Sequence, residues 1–277
     1  MRICSMDFGG STVDVLEWEN GQIQSIESYE SVEISTQRFQ DFMRTLRLKI
    51  ETIDAFRVTG GKSHFFADEF QGIPLVRVDE IQAIGAGGQW LLKETLGNRV
   101  PQEALTVSMG TGTCMVASRS LKHVHLGGTG VGGGTFLSLC RLLLQESEPE
   151  RLIELFNQGD RKKVDLSVRD IVGRDIGRIS ADMTASNLGK LAYSKEIDFS
   201  KADLAAGITN LIGQTIAIAS VFAAQAEHLN TIVLTGKLTR IKSIVDIIFE
   251  VGKVYGLKMI LPKNADYVGA IGAFCKS

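Results

Sequence analysis

Proline is scarce, with four in 277 residues, and no Pro/Ser-rich or low-complexity stretch divides the chain. Any two parts of it should therefore be packed together and hinged, not strung on a tether. Cysteine is as scarce. Cys4, Cys114, Cys140 and Cys275 are scattered through apolar segments without the paired spacing of a metal site, which predicts buried free thiols in a reducing cytosol. An excess of either charge is also missing. Thirty Lys and Arg against 32 Asp and Glu leave a formal charge of −2, so there is no global electrostatic case for nucleic acid or an anionic membrane as partner, and a charged ligand must be caught by a local site. No uninterrupted apolar run reaches membrane-spanning length. The N-terminus meets Asp7 too early for a secretory apolar core. The expected location is the cytoplasm.

What is present is apolar material, 44% of residues, enough for one large or two small packed cores. Arg2 to Met6 reads as a strand, Asp7 to Ser11 as a Gly-rich turn, and Thr12 to Trp18 as a second strand. A third strand starts at Gln22 after the hairpin signal Asn20-Gly21. Phe39, Phe42, Met43 and Leu46 have helical spacing within a helix expected over Thr36 to Leu48. Strands follow at Ala55 to Thr59 and Ile73 to Val78, then a helix from Ile81 to about Leu96. The pattern then restarts: strand Ala104 to Ser108, turn Gly110-Thr111-Gly112-Thr113, strand Cys114 to Ser118, strand Lys122 to Leu126. Helices are expected over Gly134 to Gln145, Glu150 to Asn157, Ala202 to Leu229 and Ser243 to Val251. Strands Thr231 to Leu234 and Leu257 to Leu261 and a helix from Tyr267 complete the chain. The repeated strand-turn-strand opening predicts an α/β fold of two duplicated domains with a cleft between them. Residues 1–100 would form the first, with the helix over 266–277 packing back on it, and residues 101–265 the second.

The two turns are also where the chemistry concentrates. In Asp7-Phe8-Gly9-Gly10-Ser11-Thr12, glycine lets backbone N–H groups approach an anion and the hydroxyls add donors. The carboxylate of Asp7 at the mouth would repel phosphate unless a cation stood between them, which argues for Mg²⁺. Gly110-Thr111-Gly112-Thr113 supplies a second hydroxyl-rich turn, so the pair could clamp a triphosphate from both sides. The apolar strand Ile232 to Thr235 closes on Gly236-Lys237, a usual place for a nucleotide to lie against backbone. The run from Leu126 to Leu137 precedes a helix with six glycines, offering N–H donors at its positive end.

This ordered set resembles the actin, sugar-kinase and heat-shock ATPase superfamily, which implies that the duplicated domains are ribonuclease-H-like. The glycine run, Gly159-Asp160-Arg161 with Val164-Asp165-Leu166, Asp182 to Gly189, and Tyr267 to Phe274 narrow the resemblance to type II pantothenate kinases, with matching segments over nearly the whole chain. The resemblance implies phosphoryl transfer from ATP to pantothenate in a homodimer, with Mg²⁺ and with CoA or an acyl-CoA as a candidate inhibitor. Nucleotide contacts would come from Asp7, Phe8, Gly9, Gly10, Ser11 and Thr12, from Thr111 and Gly112, from Gly133, Gly134, Thr135, Phe136 and Leu137, and from Gly236 and Lys237; Asp7 would hold the metal. It assigns the general base to Glu80, which aligns in Asp79-Glu80-Ile81-Gln82-Ala83; a carboxylate there could equally cap the following helix. The long helix around Leu204 to Ala226 could line the dimer, although burial within one chain would give the same pattern.

Three positions depart from the family. Asp14 replaces a lysine after the first turn, His125 replaces an arginine two residues before Gly127-Gly128, and an aromatic is absent near Pro149. His125, with Glu80, is the candidate contact to the alcohol substrate. Alternatives with the same fold are a kinase for a sugar or N-acyl amino sugar, or a sensor that binds nucleotide or acyl-CoA without turnover.

Overall fold

The computed structural model describes residues 1–31, 36–46, 48–193 and 198–276. Strands β1 (Arg2–Phe8), β2 (Thr12–Glu19) and β3 (Gln22–Glu30) form an antiparallel meander. Asn20 and Gly21, with φ of 50° and 80°, make its hairpin turn. Helix α1 (Thr36–Thr45) stops short of the expected Leu48, and position 47 lies outside the described residues. Then come β4 (Ala55–Thr59), β5 (Glu69–Phe70), β6 (Ile73–Arg77) and α2 (Glu80–Leu96). The sheet order is β3-β2-β1-β4-β6-β5, with β4 parallel to β1 and β6 parallel to β4.

The second meander is β7 (Glu103–Met109), β8 (Thr113–Arg119) and β9 (Lys122–Thr129). Helix α3 (Gly133–Leu139) runs into a π-helical turn, Cys140–Leu144, and α4 (Pro149–Gln158) begins with proline at a position that needs no N–H. The segment that sequence patterns left unassigned holds a two-stranded ribbon, β10 (Leu166–Ser167) with β11 (Thr184–Ser186), and short helices α5 (Val168–Val172) and α6 (Gly189–Tyr193). Helix α7 (Lys201–Ala226) starts in a Ser200/Asp203 capping box. Strand β12 (Thr231–Thr235), α8 (Lys242–Val254), β13 (Lys258–Ile260) and α9 (Val268–Cys275) finish the chain. The second sheet runs β13-β12-β7-β8-β9, with β12 parallel to β7 and β13 parallel to β12. The shared order, three antiparallel strands followed on the first strand's other side by two parallel ones, makes the two sheets copies of one design.

Each lobe has its own core. Phe8, Phe39, Phe42, Phe66 and Phe70 fill one face of the first sheet. On its other face Trp18 stacks on Phe274 of α9, ring centroids 3.8 Å apart. The second core joins Leu105, Phe136, Ile212, Ile232 and Ile248 around α7. That helix is long and apolar enough to cross a bilayer by composition, but 61% of its most apolar window is buried against the protein, so packing within one chain accounts for its pattern. Helix α9 returns to pack on α2, β1 and β4. The α2–α9 crossing is backbone on backbone, because a Cβ on Gly272 would lie 1.7 Å from the Ala83 carbonyl oxygen. Helix α2 in turn packs on β7, β8 and β9, so the α2–α9 pair lies between the sheets.

Candidate active site

The first turn is pinned from below. The Gly9 N–H donates to the Thr12 carbonyl at 3.0 Å, and the Ser31 hydroxyl and N–H donate to the carbonyls of Gly9 and Ser11. Phe8, expected among the nucleotide contacts, points the other way. It is 1% exposed and packs edge-on to Phe66 at 4.6 Å, so its side chain anchors the turn in the core, since strand residues alternate faces.

The second turn is held by the glycine run. Gly133 and Gly134 donate their N–H groups to the Gly110 and Thr111 carbonyls at 2.8 and 2.9 Å, and the Thr113 hydroxyl donates to the Val131 carbonyl. The run was expected to expose a row of N–H donors to the ligand. Two of those donors instead buttress the turn, a use that glycine density at a helix start permits equally well. Gly112 and Thr135 fall outside the cavity lining. Gly112 lies beneath Gly132, and the Thr135 hydroxyl donates to the Gly130 carbonyl.

The two turns meet. The hydroxyls of Ser11 and Thr111 are 3.4 Å apart, and a Cβ on Gly10 would stand 2.8 Å from the Thr111 hydroxyl oxygen. They bound a cavity of about 530 Å³. Asp7, Gly9, Gly10, Ser11, Thr12 and Thr111 form its polar end, together with Lys237. Phe136, Leu137, Leu238 and Ile241 form an apolar wall, with Gly133, Gly134 and Gly236 between. A polar end continuous with an apolar wall matches a phosphate chain joined to a flat base.

Asp7 sits opposite Asp14 across the β1–β2 pair and opposite Thr59 of β4. Its carboxylate has no hydrogen-bond donor among the described residues. Burial, then the charges of Asp14 and Glu80, push it up to about 7 against a smaller pull from Lys237. A carboxylate so short of positive partners fits a site for a cation. The Asp14 carboxylate, in the place where a lysine was expected to contact phosphate, accepts from Lys237 Nζ at 2.6 Å and from the Ser28 hydroxyl at 2.6 Å.

Glu80 is the first residue of α2 and does not cap it. Asp79 takes that role, accepting from the Gln82 N–H at 3.0 Å. Glu80 stands beside Gly61, with Oε2 4.0 Å from where a Cβ would be. Burial, then Asp79, raises its carboxyl above the usual range, and its own charge helps push up both Asp7 and the Cys114 thiol. It is thus close to the polar end without lining the cavity. His125 is exposed on β9, opposite Val116, and also lies outside the lining. Its neighbour His123 is buried, with Nδ1 2.9 Å from the Ser118 hydroxyl, its carbonyl accepting from Gln82 Nε2, and its ring over Gly85. Burial lowers its pKa, helped by Lys276, which marks it as a pin between β9 and α2.

Sequence patterns missed the turn at Gly60-Gly61, which backs Asp7, and Gly269, whose missing side chain leaves room for the Asp7 carboxylate: a Cβ there would lie 2.0 Å from Oδ2. For the first, a glycine pair closing a strand was the available signal; Gly269 lies inside α9. The four cysteines are free, as expected, but only Cys4 and Cys140 are buried, whereas Cys114 and Cys275 are half-buried.

A family model described as Fumble matches residues 11–276. The type II pantothenate kinase of Oceanobacillus iheyensis is 31% identical over 279 residues, covering 100% of both chains. The chain belongs to the Fumble family of type II pantothenate kinases. Another family member, the type II pantothenate kinase of Bacillus cereus strain G9842, is 29% identical over 85% of this chain and 83% of its own. Among solved structures, the (R)-2-hydroxyglutaryl-CoA dehydratase component A of Acidaminococcus fermentans matches with a TM-score of 0.64 at 15% identity, over 100% of this chain and 97% of its own. A ROK family glucokinase from Streptomyces griseus, solved with glucose and AMPPNP, matches with a TM-score of 0.57 at 12% identity, over 99% and 98%. At such identities the likeness is one of fold, and it makes this family member a duplicated actin-like ATPase fold.

Proposed function

We propose that the chain transfers the γ-phosphoryl group of ATP to the 4′-hydroxyl of pantothenate, forming 4′-phosphopantothenate at the start of coenzyme A synthesis. The observation that carries this reading is the meeting of the Ser11 and Thr111 hydroxyls, 3.4 Å apart, beside two carboxylates of raised pKa. Family membership supplies the substrate class.

The first turn and Thr111 grip the phosphate chain through N–H and hydroxyl donors, and Phe136 and Leu137 face the base. Asp7 would hold Mg²⁺, which would supply charge neutralisation for the phosphates when bound. Glu80 accepts the proton of the attacking hydroxyl, and its raised pKa keeps it a better base than a solvated carboxylate. As pH falls through that raised pKa the base is protonated and the rate declines. His125, outside the nucleotide cavity, contacts the acceptor. The active form is a homodimer in the cytoplasm, with CoA or an acyl-CoA as its inhibitor.

The test is ADP release measured with pantothenate, glucose, N-acetylglucosamine and no acceptor. Pantothenate alone should stimulate release. Glu80→Gln should lower kcat by about 10²- to 10⁴-fold while AMPPNP still binds. Stimulation by a sugar, or turnover retained in Glu80→Gln, would remove the acceptor or the base from this reading.

A further inference from the structure

Lys237 comes from the second lobe, just after β12, yet its Nζ lies 2.6 Å from Asp14 Oδ1 and 3.2 Å from the Ser28 hydroxyl, both on the first sheet. The ammonium also stands 4.3 Å above the Tyr267 ring centroid. Asp14 is 5% exposed, and the residue facing it across β1–β2 is another carboxylate, Asp7. Like charges directly opposite one another on a strand pair are unfavourable, and a buried carboxylate without a partner is costly. Of the two cations that line the cavity among the described residues, Lys237 and Arg240, Arg240 is bound by Asp266 and the Tyr267 hydroxyl. Lys237 is the cation at the phosphate end, and Asp14 with Ser28 fixes where it stands.

We propose that Asp14 is a positioning residue: it draws the Lys237 ammonium across from the other lobe and holds it where the nucleotide's phosphates enter, so that Lys237 is the cationic contact to the triphosphate. This rests on the reading of the cavity as a nucleotide site. A flexible lysine stem otherwise loses rotamer freedom when it binds an anion. Asp14 itself lines the cavity, and a carboxylate that holds the ammonium there beforehand reduces that cost. One ammonium can serve both lobes at once, because it carries three N–H donors.

The experiment measures direct binding of AMPPNP and of ADP with Mg²⁺, by calorimetry without acceptor, to wild type, Asp14→Asn, Asp14→Glu, Lys237→Met and the Asp14→Asn/Lys237→Met double variant. Lys237→Met should weaken AMPPNP by about 10-fold or more, and ADP less. Asp14→Asn should weaken AMPPNP by about 3- to 10-fold when Lys237 is present and have no effect once it is Met. Asp14→Glu should recover most of the loss. In steady state the defect should appear in KM for ATP more than in kcat. Tighter binding in Asp14→Asn, which is what simple repulsion between carboxylate and phosphate would give, overturns the proposal. So do equal losses on both backgrounds, or a lowered Tm with unchanged affinity. If Asp14→Asn does not fold, Ser28→Ala removes a donor from the same carboxylate oxygen and takes its place in the cycle, with the same outcomes. Wild-type protein that binds no nucleotide overturns the underlying reading as well, whereas binding with additive losses overturns only the role of Asp14.

Discussion

The two lobes match one another down to single residues, and they differ where charge is placed. Asp7 pairs with Thr59 and Asp14 in the first sheet; at the corresponding places in the second, Ser108 pairs with Thr235 and Cys114. The parallel strand in each ends in a glycine of positive φ, 91° at Gly60 and 88° at Gly236. In each, a Cβ would fall 2.5 Å from the carbonyl oxygen of the last residue of the opening strand, Phe8 or Met109. The backbone device is thus duplicated, while the carboxylates stand only in the first copy. Duplication conserved what steric fit demands, and the chemistry was left free to diverge: one turn sits among acids, the other offers a hydroxyl and leans on a helix.

Exchanging the divergent positions tests that division most directly. Asp7→Asn should weaken binding of AMPPNP with Mg²⁺ by about 100-fold or more, and Ser108→Ala by less than about 3-fold, both read by calorimetry. Equal losses would mean the lobes share the load.

The conserved device is tested next by Gly60→Ala and Gly236→Ala. Each forces a side chain into a left-handed backbone against a carbonyl, and each should cost about 2–3 kcal/mol in chemical denaturation. A large difference between the two would break the equivalence.

A smaller effect follows from the acids themselves. The folded protein holds the Asp7 proton up to about 7, far above the ordinary carboxylate value, so this group favours folding only while protonated. Stability contributed by that proton is fully present at low pH and is lost as pH rises through the ordinary value and on to about 7. Asp7→Asn should therefore match wild type at pH 4 and exceed its Tm by roughly 2–4 °C at pH 8. A gain that does not grow with pH would deny the carboxylate its strained electrostatics.

The smallest contrast lies in the paired threonines. The Thr235 hydroxyl donates to the Val107 carbonyl at 3.0 Å, whereas the buried Thr59 hydroxyl has no partner among the described residues. Thr235→Val should cost about 1 kcal/mol and Thr59→Val close to nothing, measured in the same denaturation series.

Much of this was legible before any coordinates, for identifiable reasons. The turns were visible because glycine and hydroxyl residues interrupt alternating apolar strands at the same point twice, and the parallel strand order follows from where helices intervene. The ribbon at Leu166–Ser167 and Thr184–Ser186 was not visible, since strands of two and three residues carry no period. The π turn at Cys140–Leu144 hid within a continuous apolar run. Phe8 was assigned to the ligand from its place in a motif, although the alternation of the strand carrying it already pointed it inward. The Asp14–Lys237 contact joins residues 223 positions apart, and no local signal foretells it.

The chain's two tryptophans share one contact. Trp18 stacks on Phe274 and meets Trp90 edge-on at 5.7 Å, so both indoles lie where the first sheet touches α2 and α9. Intrinsic fluorescence of this protein is consequently a reporter of that junction and carries no indole from the second lobe. Emission followed beside far-ultraviolet circular dichroism distinguishes concerted melting, in which both signals move together, from a second lobe that loosens first and changes ellipticity before either tryptophan responds.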